Sequence, residues 1–231
     1  MDRGGYIIMK KLTIKRFACL IVTLCLMLTC FSLPVFAQTT QASEYKLETE
    51  QDALKLIDAA NKGDVKAAQI LKSLKAFNKD EVNKVLEGVK FTAADKTRFF
   101  EFDDGSSIQV QMCLVDQKVE KDASELRYGV TWYFTYEYKV MNVLVAQYLL
   151  WQSYQSDGTD CSNATSWDSG SGVYPFGVNK YGTIDKITQG PCVKAIGNGG
   201  ITSFGNEFVT VTIQGYCYPD WEYNWCSIFV S

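Results

Sequence analysis

Between Trp132 and Tyr138 every second residue is aromatic. Trp132, Phe134, Tyr136 and Tyr138 fall on one side, with Tyr133, Thr135 and Glu137 on the other. Side chains alternate between the faces of a strand, so this period of two gathers four rings on one surface. Such a surface needs a second layer to cover it. Ser107–Val115 repeats the pattern, with Ile108, Val110, Met112 and Leu114 set against Gln109, Gln111 and Cys113. Asp103-Asp104-Gly105-Ser106 reads as the hairpin turn joining this strand to Thr97–Phe102. Val140–Tyr154 is apolar on both faces, as in a strand buried between layers. Residues 155–172 are rich in Ser, Gly, Asp and Thr and read as a loop. Further strands are expected near 173–178, 181–188, 192–196, 201–217 and 224–230, most of them separated by glycine-containing turns. The pattern predicts an antiparallel β-sandwich over residues 97–231, with a β-barrel as the alternative closure.

Residues 45–90 follow a different period and predict two or three short helices. Thr49 and Asp52 stand at capping-box spacing before a stripe of Ala53, Leu54, Leu56, Ile57 and Ala60. Asn61-Lys62-Gly63-Asp64 interrupts that stripe, and Asp64 is placed to cap a second helix. Asn78 and Glu81 repeat the capping pattern before Val82, Val85 and Leu86. The organisation expected is therefore a polar start and helical segment over 38–96, then the β-sandwich.

Ahead of both lies a leader. Lys10, Lys11, Lys15 and Arg16 precede an apolar run from Phe17 to Phe31, and Pro34-Val35-Phe36-Ala37 offers small or β-branched residues at the exit. These are the parts of a secretory signal peptide, so residues 1–37 are expected to be removed and Met9 to be the native start. The style of the leader is that of a Gram-positive bacterium, and the location expected is extracellular. No later apolar stretch reaches membrane length without a charge.

Removal of the leader changes the chemistry available. The 194 residues from Gln38 carry 18 basic and 25 acidic side chains, a net charge of −7. An acidic chain without clustered Lys and Arg is unsuited to nucleic acid. Five of the eight cysteines remain: Cys113, Cys161, Cys192, Cys217 and Cys226. In an exported protein disulfides are the default reading. A hairpin turn centred between Trp221 and Glu222 sets Cys217 opposite Cys226, and the second bridge expected is Cys161–Cys192, leaving Cys113 over. There is no histidine. Ser-His-Asp and Cys-His nucleophilic mechanisms and histidine-ligated zinc are thereby excluded, and no metal or other cofactor is implied.

The candidate site is the tip of the last hairpin, Pro219-Asp220-Trp221-Glu222-Tyr223-Asn224-Trp225. If the strand alternation continues through it, Trp221, Tyr223 and Trp225 form one flat surface with Asp220, Glu222 and Asn224 beside it. Aromatic faces stack on sugar rings, and carboxylates and amides hydrogen-bond hydroxyls. The bland reading is that these rings cover the end of a small sandwich. Asp157, Asp160 and Asp168 lie in an oxygen-rich stretch but match no EF-hand spacing. Asp103 and Asp104 fit turn chemistry. Glu101 and Glu137 pair as hydrolase carboxylates only at the right separation. The function expected is a secreted, non-catalytic binding module for a glycan or cell-surface ligand. A carboxylate-based glycoside hydrolase and a secreted antagonistic toxin or its immunity partner are the alternatives.

Overall fold

In the computed structural model, which describes residues 45–121, 126–187 and 192–231, two five-stranded antiparallel sheets stack face to face. Sheet A runs β1 (Phe91–Thr92), β10 (Trp225–Val230), β9 (Asn206–Cys217), β8 (Val193–Ser203) and β7 (Phe176–Ile187) in spatial order. Sheet B runs β2 (Thr97–Glu101), β3 (Ser106–Lys121), β4 (Leu126–Val140), β5 (Val143–Ser156) and β6 (Cys161–Gly172). This is an open sandwich, and the barrel alternative is set aside. The leader and the polar start lie outside the described residues. Among the described residues no helix is long and apolar enough to cross a membrane.

The tight turns follow local chemistry. Gly105 supplies the left-handed position (φ +80°) of the β2–β3 turn, while Asp104 Oδ1 accepts from the Ser106 amide at 3.0 Å. Val140–Tyr154, expected as one strand, is broken at Met141-Asn142, both with positive φ. That two-residue turn makes β4 and β5 a hairpin. The largest departure is β6. Its Ser, Gly and Thr content reads as a loop, yet it pairs with β5 from Ala146↔Gly172 to Ser156↔Cys161. It is an edge strand of sheet B, where outward positions meet solvent and small polar residues cost little.

The two inner faces are complementary in shape. Sheet B contributes Trp132, Phe134, Tyr136, Tyr138, Tyr148 and Tyr154, all buried. Sheet A contributes mainly aliphatic side chains and glycines, with Phe91 and Phe176 on its edge strands. A Cβ on Gly199 would collide with the Tyr148 ring, and one on Gly215 would lie 2.6 Å from Phe134. Glycine there lets the sheet A backbone come down onto an aromatic ring. Burial holds the phenols of Tyr136 and Tyr138 above the ordinary tyrosine range.

The helices are α1 (Glu50–Asn61), α2 (Val65–Ser73) and α3 (Lys79–Leu86). Thr49 and Asp52 form the expected capping box, and the side chains of Asp64 and Asn78 cap α2 and α3. Leu54 departs from the expected stripe and is exposed. The segment is built into the sandwich. Phe77, in a 3-10 turn over Lys75–Phe77, stacks on Tyr138 at 4.9 Å and Phe176 at 5.2 Å, and so plugs one end between the sheets. The Lys75 amide donates to Asp104 Oδ2 at 2.5 Å, and the Lys75 ammonium lies 2.8 Å from Asp103. Asp103 and Asp104 therefore clasp the helical segment to the β2–β3 turn. On α3, Asn83 donates to the Val230 carbonyl and accepts its amide, as a neighbouring strand would.

Candidate ligand-binding site

The hairpin tip does not continue the strand alternation. Asp220 caps a 3-10 turn over Trp221–Tyr223, its side chain accepting from the Glu222 amide at 3.1 Å. The turn sends the three rings in three directions. Trp221 packs inward, 6.5 Å from Trp132, while Tyr223 is 70% exposed. Trp225 is the first residue of β10 and lies on the outer face of sheet A. Asn224 is fully buried: its Oδ1 accepts from the Tyr218 amide at 2.7 Å and its Nδ2 donates to the Tyr154 hydroxyl at 3.2 Å. The expected flat row over Asp220, Trp221, Tyr223 and Trp225 is thus replaced by a folded cap anchored on β5.

The same turn shifts the hairpin register. β10 pairs Trp225 with Tyr216 and Cys226 with Gly215. Cys217 and Cys226 share the core face as expected, but they are diagonal neighbours rather than partners. That separation, about 7–8 Å between Cα atoms for a diagonal pair, exceeds the reach of a disulfide. The Cys217–Cys226 bridge is corrected accordingly. The Cys217 thiol instead donates to Gln152 Oε1 at 3.1 Å, and burial pushes both thiols up. Cys161 and Cys192 are both half-buried.

Trp225 leads to a surface groove. This groove, of about 830 Å³, lies between α3 and the outer face of β9 and β10. Its aromatic faces are already used. Trp225 and Tyr216 stack at 3.9 Å with their planes 10° apart. Lys90 sits 4.5 Å over Trp225 and Lys194 sits 4.9 Å over Tyr216. With each ring covering one face of the other, the lysines occupy the remaining faces. The groove offers ring edges and cations but no platform for a sugar ring.

The outer face of sheet B carries a second aromatic cluster, whose last ring has no cation over it among the described residues. Its register aligns Cys113, Tyr133, Trp151 and Trp167 in one row across β3, β4, β5 and β6. The rings of Tyr133 and Trp151 lie 5.1 Å apart, and those of Trp151 and Trp167 lie 5.7 Å apart and nearly parallel. Trp167 is 43% exposed. Polar rows flank the rings. On one side run Gln111, the buried Thr135, Leu149 and Ser169, then Gln109, Glu137, Gln147 and Ser171; on the other run Thr131, Ser153 and Thr165. Trp151 Nε1 donates to Ser169 Oγ at 3.1 Å, fixing the indole. Beside the rings lies a polar depression of about 240 Å³ lined by Asp116, Lys118, Thr131, Ser153, Gln155 and Asn163. The bond to Cys113, then burial, push the Tyr133 phenol up to about 12. Rings flanked by amides, hydroxyls and a polar hollow combine apolar surface with placed hydrogen-bonding groups, as small-ligand sites do.

Sequence reasoning placed Tyr133 on the face opposite the core rings but passed over Trp151 and Trp167. Their signal was alternation within segments read as doubly buried or as loop. The acidic groups have other employment. Glu137 lies 3.2 Å from Lys139 on the open face of sheet B, and Glu101 stands two strands away at the end of β2. They do not face each other across a cleft. Asp157 Oδ1 accepts the amides of Thr159 and Asp160, whereas Asp168 accepts from Tyr148 and Gly182. Among the described residues no cluster of carboxylates and thiols is arranged to hold a metal ion. Comparison with protein-family models, curated sequences and solved structures finds no match for this chain.

Proposed function

We propose that the protein is an exported, non-catalytic module that binds a glycan on the outer face of sheet B. The observation that carries this reading is the registered row of Tyr133, Trp151 and Trp167, flanked by hydroxyl and amide side chains. A sugar ring stacks its C–H face on an indole, and its equatorial hydroxyls reach outward to the flanking rows. Trp167, at the end of the row on edge strand β6, has a ring on one face only, so its other face can take a single sugar unit. The absence of histidine from the sequence and the separation of Glu101 from Glu137 support binding without turnover.

Retention on insoluble polysaccharides and on a glycan array tests this reading. Trp151→Ala with Trp167→Ala should abolish retention while the protein still unfolds cooperatively. Undiminished retention in the double variant overturns the site, and no retention of the wild type on any glycan overturns the ligand class. Export is tested separately. N-terminal sequencing of the protein from culture medium should begin at Gln38, and a cell-retained chain that keeps residues 1–37 contradicts it.

A further inference from the structure

We infer that Cys161 and Cys192 form a disulfide on oxidation, stapling the start of β6 in sheet B to the start of β8 in sheet A. The other cysteines are placed differently. Cys113 lies on the outer face of sheet B and accepts from Gln111 Nε2 at 3.0 Å. Cys226 is buried opposite Gly215. Cys217 is buried with its thiol donated to Gln152, whose Nε2 in turn donates to the Val193 carbonyl at 3.2 Å. Cys161 and Cys192 are half-buried, so an oxidant can reach both.

The topology brings these two together at one end of the sandwich. Cys161 Sγ lies 3.9 Å from the Cys217 carbonyl oxygen, and β9 pairs Cys217 with Val193, the residue after Cys192. Cys161 Sγ and the chain segment that begins at Cys192 therefore border the same residue of sheet A. The end is held in place by the hydroxyls of Tyr154 and Ser156, which donate to the carbonyls of Tyr218 and Pro219. Burial, then the charges of Cys192, Asp160 and Asp157, push the Cys161 thiol up to about 12. This agrees with Cys192 being its neighbour.

The oxidant is a small-molecule disulfide such as glutathione disulfide, or a protein disulfide of the exported environment. A thiolate of the pair attacks one sulfur of that reagent, and one thiolate leaves. The second cysteine then attacks the mixed disulfide and expels the other half. Two protons go to solvent, two electrons go to the reagent, and one S–S bond replaces another. The bond stands independently of the glycan reading, since neither cysteine touches the row of rings.

The experiment uses the full chain, reduced and then treated with glutathione disulfide. A non-reducing peptide map should join the Cys161 peptide to the Cys192 peptide, with Cys113, Cys217 and Cys226 still reactive toward a thiol reagent in denaturant. Closing a loop of about 30 residues should raise Tm by roughly 5–10 °C over the reduced protein. Cys161→Ser with Cys192→Ser should melt at the reduced value and ignore reductant, and Cys217→Ser should still form the bond. A map linking Cys217 to either cysteine, or five reactive thiols after oxidation, overturns the inference. The map on the wild type needs no variant to fold.

Discussion

The two sheets use aromatic residues in opposite ways. Sheet B carries rings on both faces: Phe134, Tyr136, Tyr138 and Tyr148 inward, and Tyr133, Trp151 and Trp167 outward. Sheet A receives the inward rings on glycines and aliphatic side chains, and its own outward pair, Tyr216 and Trp225, is stacked and capped by Lys194 and Lys90. An outward ring is thus available for recognition according to its neighbours. Trp167 lies on edge strand β6, with a ring on one side only. Trp225 lies between a ring and a cation. Exposure of a tryptophan says little until its two faces are accounted for.

The contrast breaks most severely in the core. Phe134→Ala should cost about 3–5 kcal/mol, because the ring is wholly buried and the backbone at Gly215 is shaped to it. Gly199→Val should cost about 3 kcal/mol from the other side, by driving a side chain into Tyr148. Urea denaturation measures both. Equal stability of either variant to the wild type would show that the ring-on-glycine interface is not what joins the sheets. On the outer faces the effects separate. Trp151→Ala with Trp167→Ala should weaken glycan binding at least tenfold, or about 1.4 kcal/mol. Trp225→Ala should leave binding unchanged and cost about 1 kcal/mol of stability through the lost stack. Reduced binding in the Trp225 variant alone would reverse the assignment of the two faces.

The smallest effect concerns Tyr133. Cys113→Ala should bring its titration, followed by NMR, from about 12 down toward the ordinary value of 10.0. The folded protein holds this proton more tightly than the unfolded chain does. Its contribution is therefore complete below pH 10 and lost as pH rises through about 12. The variant should show less of that alkaline loss. An unmoved titration would mean that burial, rather than the thiol, sets the phenol.

Much of the fold was legible because local and long-range signals agreed. Thr49, Asp64 and Asn78 cap where they were expected to, and the ring period of β4 pointed to a covered face. Strand β6 was hidden because a solvent-facing edge strand needs no apolar alternation. Phe91–Thr92 joins sheet A although it falls within the expected helical segment, since a two-residue bridge has no period to detect. The site was less legible still. Tyr133, Trp151 and Trp167 are 16 or more residues apart along the chain and become neighbours only through register. The tip attracted attention because its rings are close in sequence, but one capped turn disperses them.

Sheet A's strand order also governs when the molecule can finish folding. β10 lies between β1 and β9, and Val230 is held by Asn83 of α3, 147 positions earlier. Until residues 225–230 emerge from the ribosome, β1 has no partner and the edge of β9 is open. The sandwich therefore closes only once β10 is in place, as suits a fold dominated by contacts distant in sequence.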